Sequence, residues 1–244
     1  MTPTPIFAGS PMPDTAASFT PPRAARTVVF RHEGSSTGAT IDLEVIAARL
    51  SSLAAHGAGL GSRVWRIVPM AMAENRTERA DDIIYACKWV NLDDPVRALH
   101  LPREFGWLNR LGGGYFPVPV AQAMLRPDAY LLVAEWIEGR NLALHAPAIV
   151  AELIAAGTFK RFCGDLIRIL DRLQEAGVAH SDIWEPNIMV RDQRPVLLDF
   201  GWARTLGGAP ARDNLHQPDD RLAMTQLLLR LGALRRMLTH PQAT

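Results

Sequence analysis

The stretch from His180 to Gly201 constrains this chain more than any other part of it. It reads His180-Ser-Asp-Ile-Trp-Glu-Pro-Asn187, then Ile-Met-Val-Arg, then the polar pair Asp192-Gln193, then Arg-Pro-Val-Leu-Leu-Asp199-Phe-Gly201. Two apolar runs around Asp192-Gln193 predict a short hairpin, 187–191 against 195–199. A hairpin brings its ends together, so Asn187 and Asp199 are expected side by side, with Asp182 close by. The run follows the clearest helix in the sequence, 159–176. There Phe159, Cys163, Leu166, Leu170 and Leu173 make one apolar stripe, and Gly177 stands at the C-cap position. Either aspartate alone would be an ordinary turn or strand-end residue. Three oxygen-bearing side chains in this order, behind a helix, have a chemical use.

In that order they resemble the catalytic loop and Asp-Phe-Gly segment of the protein-kinase-like superfamily, and the resemblance implies alignment and charge neutralisation around a phosphoryl group, a reaction that asks for little covalent chemistry from the protein. One carboxylate must take or orient the proton of the acceptor hydroxyl, and Asp182 is placed for it. Mg²⁺ prefers a few carboxylate or amide oxygens and keeps its waters, which suits Asn187 and Asp199. Gly201 gives backbone freedom just after the metal ligand. The resemblance is carried by His180, Asp182, Asn187, Asp199, Phe200 and Gly201. The resemblance implies an α+β, bilobal fold with a small β-rich N-lobe and a compact, mostly helical C-lobe. It also implies ATP and Mg²⁺ as cofactors.

Upstream residues extend the resemblance, which covers about residues 57–235. In this superfamily a strand lysine pairs with a helix glutamate to clamp the ATP phosphates. Lys88, at the end of Ile84-Tyr-Ala-Cys-Lys88, and Glu104 fit those roles. Gly57, Gly59 and Gly61 precede a strand-like run at 63–70 as a phosphate-covering turn would; Gly34 and Gly38 compete for the part. Tyr130-Leu-Leu-Val-Ala-Glu135-Trp-Ile137 resembles the strand and hinge that receive adenine, with Glu135 and Ile137 as backbone contributors. Asp220, opening the last helix, resembles the aspartate that braces the catalytic loop, and it equally suits a simple N-cap.

Departures from the pattern bear on the acceptor. Ser181 stands where many kinases have arginine before the catalytic aspartate. Trp184 stands where protein Ser/Thr kinases carry lysine. Few residues separate Gly201 from the last helix, and there is no Ala-Pro-Glu segment. These features resemble the small, atypical bacterial branch: RIO-like, lipopolysaccharide-kinase-like, aminoglycoside-phosphotransferase-like and effector kinases. The expected activity is transfer of the γ-phosphate of Mg·ATP to a hydroxyl, with a protein serine or threonine as the leading acceptor. The alternatives are a sugar, lipopolysaccharide or small-molecule kinase, or a nucleotide-binding pseudokinase.

The remaining sequence sets the frame. Residues 1–25, rich in Pro, Ser, Thr and Ala, are expected to be a disordered leader. Residues 26–138 are expected to form the N-lobe and 139–244 the C-lobe, with a linker near 138–141. Strands are expected at 27–30, 63–70, 83–90 and 130–137, and helices at 41–55, 95–111, 148–156 and from 219 or 220 onward. Twenty-six basic against 25 acidic residues leave a net charge of +1, which argues against a nucleic-acid binder. Cys87 and Cys163 lack metal-ligand spacing and read as core residues. No apolar run is long enough to span a bilayer, and the start lacks a secretory pattern. A cytoplasmic protein is expected, or an effector acting in a host cytosol.

Overall fold

The structure is a computed structural model, and it describes residues 27–30, 39–42, 63–67, 85–91, 100–126, 129–209 and 219–240. The expected leader, most of the expected 41–55 helix, and all five candidate phosphate-loop glycines (34, 38, 57, 59 and 61) lie outside the described residues. One part of that helix is corrected. Ile41 and Asp42 belong to a strand, β2 (Ala39–Asp42), which pairs antiparallel with β1 (Thr27–Phe30). The β-branched pair Thr40-Ile41 suits this pairing better than a helical turn.

A four-stranded antiparallel sheet follows, built from β3 (Arg63–Ile67), β4 (Tyr85–Asn91), β5 (Pro119–Arg126) and β6 (Ala129–Glu135) in the order β3-β4-β6-β5. Sequence reading passed over β5. Its first residue is Pro119 and its register slips twice, between Pro119 and Ala121 and between Met124 and Arg126. Proline at the start of an edge strand is tolerated because no ladder partner needs its missing N–H. The inner strand β6 is buried on both faces at Leu131, Leu132 and Val133. Helix α1 (His100–Leu111) lies on one face, with Leu101 and Phe105 against Tyr130 and Leu132. Leu101, Glu104, Trp107, Leu108 and Leu111 are its buried side, so a carboxylate sits in the middle of an apolar helical stripe.

The second half is helical around a small sheet: β7 (Arg140–Asn141), α2 (Leu142–Ala155), α3 (Phe159–Glu175), β8 (Val178–Ala179), β9 (Ile188–Arg191), β10 (Arg194–Leu197), β11 (Arg204–Thr205) and α4 (Asp220–Thr239). The hairpin β9–β10 turns at Asp192 and Gln193, both at positive φ, as a two-residue primed turn requires. Helix α2 begins six residues before its expected start. Asn141 caps it by accepting from the Ala143 N–H, and Pro147 is absorbed by a kink at His145. On α3 the fully buried stripe is Phe162, Leu166, Ile169 and Leu173 below Phe159, with Cys163 and Leu170 on its flank. The expected stripe was therefore rotated by about one residue. Gly177, at φ +65, donates to the Gln174 carbonyl and ends α3 where expected.

Several bonds join the two halves. The Tyr115 hydroxyl, just after α1, donates to buried Asp165 of α3 at 2.9 Å, and the Leu197 N–H donates to the Tyr115 carbonyl at 2.9 Å. The Glu135 carboxylate receives Arg191 from β9 at 2.5 Å and the Val118 N–H at 3.2 Å. The connecting segment then crosses β9 at Gly139, whose φ is +150; a Cβ built there would lie 2.3 Å from the Val190 carbonyl oxygen. Only glycine fits so close to another backbone. Gly139→Ala is expected to cost about 2–4 kcal/mol of stability, since backbone must shift as well as adopt a strained φ. Urea unfolding checks this, and an unchanged midpoint would refute the crossing.

Candidate active site

Lys88 stands in the middle of β4, between Val64 of β3 and Leu132 of β6 in the register. Its ammonium reaches the Glu104 carboxylate of α1 at 2.6 Å and Asp199 at 3.4 Å. The three side chains grade outward: Glu104 is 4% exposed, Lys88 15% and Asp199 46%. Burial works against the Lys88 charge, but Glu104 and Asp199 together outweigh it and hold the ammonium above its ordinary range. Burial pushes the Glu104 carboxyl up, against the pull of Lys88. Lys88 draws Asp199 below the usual carboxylate range. Asp199 therefore stays ionised at the exposed end of the cluster, ready for a cation.

The segment holding Asp199 is locked from behind. Asp199 itself sits at φ +63, and the Gly201 N–H donates back to its carboxylate at 3.4 Å. Phe200 is fully buried and meets Phe116 and His180 edge to face, at 5.7 and 4.6 Å between ring centres. Trp107, three residues beyond Glu104 on α1, donates its indole N–H to the Ala203 carbonyl at 3.1 Å.

The loop around Asp182 hangs from α4. Asp220 accepts the His180 N–H at 2.6 Å and the Ser181 N–H at 2.7 Å. Its neighbour Asp219 is the N-cap, accepting from Arg221 and Leu222 at 3.0 Å each. The two roles open for Asp220 are thus divided between adjacent aspartates. Ser181 sits at φ +65, a conformation an ordinary side chain resists, and the Asp220 bond to its N–H holds it there. Arg204 of β11 donates to the Ser181 hydroxyl at 3.0 Å. The His180 ring accepts the Asp182 N–H at Nδ1 (3.2 Å) and faces the Leu198 carbonyl with Nε2 (3.0 Å). An acceptor Nδ1 means the proton is on Nε2, so the ring is neutral. Burial lowers its pKa accordingly, against the pull of Asp220 and Asp182. Asn187, nine-tenths buried, donates its amide to both the Asp182 carboxylate and the Asp182 carbonyl at 2.9 Å. With Nδ2 so engaged, the amide oxygen is the atom left for other partners.

Lys88, Glu104, Asp182, Asn187 and Asp199 are thereby gathered at one place. Glu135 and Ile137 lie in the segment joining the halves; the Glu135 N–H is bonded to the Val118 carbonyl at 2.8 Å. The glycines expected to cover phosphates lie outside the described residues. Sequence reading missed the Glu135–Arg191 and Tyr115–Asp165 links, which have no local signature.

A family model, Protein kinase domain, matches residues 70–219, more than half of the chain. The chain belongs to the protein kinase family. Its fold is accordingly the bilobal α+β kinase fold, β-rich in the first half and helical in the second. Over 102 residues the chain is 33% identical to Serine/threonine-protein kinase B of Synechocystis sp., a match covering 41% of this chain and 17% of that protein's length. The family match stops at Asp219, one residue short of the Asp220 brace.

Asp220→Ala would leave two buried loop amides without an acceptor. It is expected to cost about 3 kcal/mol, because bonds to a charged acceptor are worth more than neutral ones; chemical unfolding checks this. His180 contributes a pH dependence. Its native pKa lies below the ordinary 6.5, so below that pH the unfolded chain takes up a proton that the native state refuses. This share of stability is present above about pH 6.5 and lost as pH falls towards 5. The expected observation is a fall in urea midpoint between pH 8 and pH 5 that is smaller in His180→Asn. Equal falls would refute a buried neutral ring.

Proposed function

We propose that this chain transfers the γ-phosphoryl group of Mg·ATP to the hydroxyl of a protein serine or threonine. The observation that carries the reading is the joining of two clusters. Lys88 and Glu104 form a part-buried ion pair whose outer neighbour is ionised Asp199, and Asn187, which holds Asp182, accepts the N–H of Leu198 next to Asp199 at 2.8 Å. The donor set suits Mg²⁺: one half-exposed carboxylate, Asp199, and the amide oxygen of Asn187, both hard ligands. Among the described residues no group of three or more His, Cys, Asp or Glu could hold a metal ion. Mg²⁺ commonly takes only one or two carboxylates from the protein and the rest from phosphates and water. Bound Mg·ATP supplies the transferable group and neutralises its charge.

In this reading Lys88, fixed by Glu104, binds and orients phosphate oxygens. Asp182 takes or orients the proton of the acceptor hydroxyl, and Asn187 fixes the rotamer of that carboxylate. Glu135 and Ile137 present backbone to adenine. Because the Glu135 N–H is engaged, its contribution would be its carbonyl. Gly57, Gly59 and Gly61 cover the phosphates. Residues 26–138 act as the nucleotide lobe and 139–244 as the acceptor lobe, a division supported by the Gly139 crossing, with 1–25 a dispensable leader. Serine or threonine as acceptor is supported by the likeness to the Synechocystis enzyme.

The test uses γ-labelled ATP with Mg²⁺ and a cell lysate separated into protein, glycolipid and small-molecule fractions. Label is expected in protein with the wild type and absent with Asp182→Ala; label in another fraction instead would overturn the acceptor assignment. Asp182→Asn is expected to lower kcat by about 10²–10⁴-fold while nucleotide still raises Tm. Asp199→Ala is expected to abolish both transfer and the Mg²⁺-dependent part of that rise. An intact Mg²⁺ effect would refute the ligand assignment.

A further inference from the structure

The last helix outruns the body it packs on. It continues to Thr239, yet every residue from Arg235 to His240 is exposed. Met237 and Leu238, 70% and 40% exposed, give this end an apolar tip, and Leu229, 67% exposed, lies two turns back on the solvent side. We propose that the tip of α4, with the start of α3 beside it, is a docking surface for an anionic lipid bilayer.

Four cations surround the tip. Arg235 lies over the Phe159 ring, 5.2 Å from its centre, and so joins the end of α4 to the first turn of α3. Lys160 and Arg161 follow Phe159 in that turn, and both are exposed. Arg236 is the fourth. Arg140 and Arg230, elsewhere in this half of the chain, are each matched by a carboxylate. Among the described residues none of the four is so matched; Arg161 reaches the neutral Gln193 amide at 3.4 Å. The helix dipole favours the arginines at the end of α4, but it opposes cations at the start of α3. That first turn holds no acidic residue, and Thr158 gives it no side-chain cap. Local folding thus disfavours Lys160 and Arg161 where they stand, whereas an external anionic surface favours them.

The chemistry selects among occupants. A second copy presenting the same face would set four cations against four, and like charges oppose that contact. A protein of any other kind would need a hollow shaped to a projecting helix end. A bilayer needs no such match, because lipids rearrange around what enters them. Its headgroup phosphates meet the four cations, and its acyl boundary receives Met237 and Leu238. The long lysine and arginine stems lie along the apolar layer while their charged ends stay at headgroup level. Among the described residues no single helix is long and apolar enough to cross a membrane, so the contact is peripheral. Asp220 lies at the other end of α4, about 28 Å along the axis. Docking by the tip therefore leaves the Asp182 loop open to solvent.

The experiment is co-sedimentation of the full chain with vesicles of phosphatidylcholine, alone or mixed with phosphatidylglycerol, at low and at physiological salt. Wild type is expected to bind the mixed vesicles and not the neutral ones, more weakly as salt rises. Arg235→Gln with Arg236→Gln, and Lys160→Gln with Arg161→Gln, should each weaken binding by about thirtyfold. Met237→Ser with Leu238→Ser should weaken it as well, with Tm unchanged because the side chains are exposed. Should loss of the Phe159 contact unfold the Arg235 variant, Arg236→Gln alone is expected to cost about fivefold. Asp182→Ala should bind as wild type does, so docking and phosphotransfer stand or fall separately. No binding to the mixed vesicles, or binding that survives all three pairs of substitutions, overturns the proposal. So does a dimer at sedimentation equilibrium that Met237→Ser dissolves in a chain that ignores vesicles, which would give the tip to a second copy.

Discussion

The site depends on a single half-buried carboxylate at the start of the last helix. Asp220 accepts two short bonds from consecutive amides, His180 and Ser181, and so decides where the loop carrying Asp182 sits. Those amides would otherwise be buried donors lacking an acceptor, and Ser181 would lose what holds it at positive φ. His180 extends the hold inward: one ring nitrogen receives the Asp182 N–H and the other faces Leu198, beside Asp199. A neutral histidine is needed for this, because an imidazolium has no acceptor nitrogen to offer. From one carboxylate, then, order passes to the loop, to the hairpin end and to both aspartates.

The cluster around Lys88 is organised by a gradient of exposure. Two carboxylates flank Lys88, and the inner one, Glu104, is almost dry. A buried carboxylate beside an ammonium is costly to separate from its partner, so Glu104 holds Lys88 in place. Asp199, on the outside, is lowered by the same ammonium and remains accessible. The cluster as a whole carries two negative charges against one positive, a balance that favours an additional cation at its outer edge.

Much of this was legible in the sequence because it was encoded locally. The hairpin announced itself through two apolar runs around Asp192-Gln193, and α3 through its stripe and Gly177. The pairing of Lys88 with Glu104, 16 positions apart, was legible only through family resemblance, since neither residue has a local signal. β5 was missed because its leading Pro119 and irregular register mask the alternation of a strand. Helix α2 was placed too late because Pro147 reads as a start, and the kink at His145 that accommodates it depends on tertiary packing. The contest at Asp220 could not be decided from sequence. Asp219 and Asp220 are chemically identical neighbours, and only the position of the loop across from them tells the cap from the brace.

Helix α1 carries Glu104 and Trp107 less than one turn apart. The first grips the lysine of the sheet and the second grips the Ala203 carbonyl beyond the Asp-Phe-Gly segment. A rigid helix cannot release one of these without moving the other, so the two grips behave as one switch with two contacts. A swing of α1 that drew Glu104 off Lys88 would also pull on the backbone behind Asp199, taking the Lys88–Glu104 pair and the Asp199 segment apart together. Half-assembled states of the cleft are thereby made scarce, and any partner that touches α1 acts on both parts of the chemistry at once.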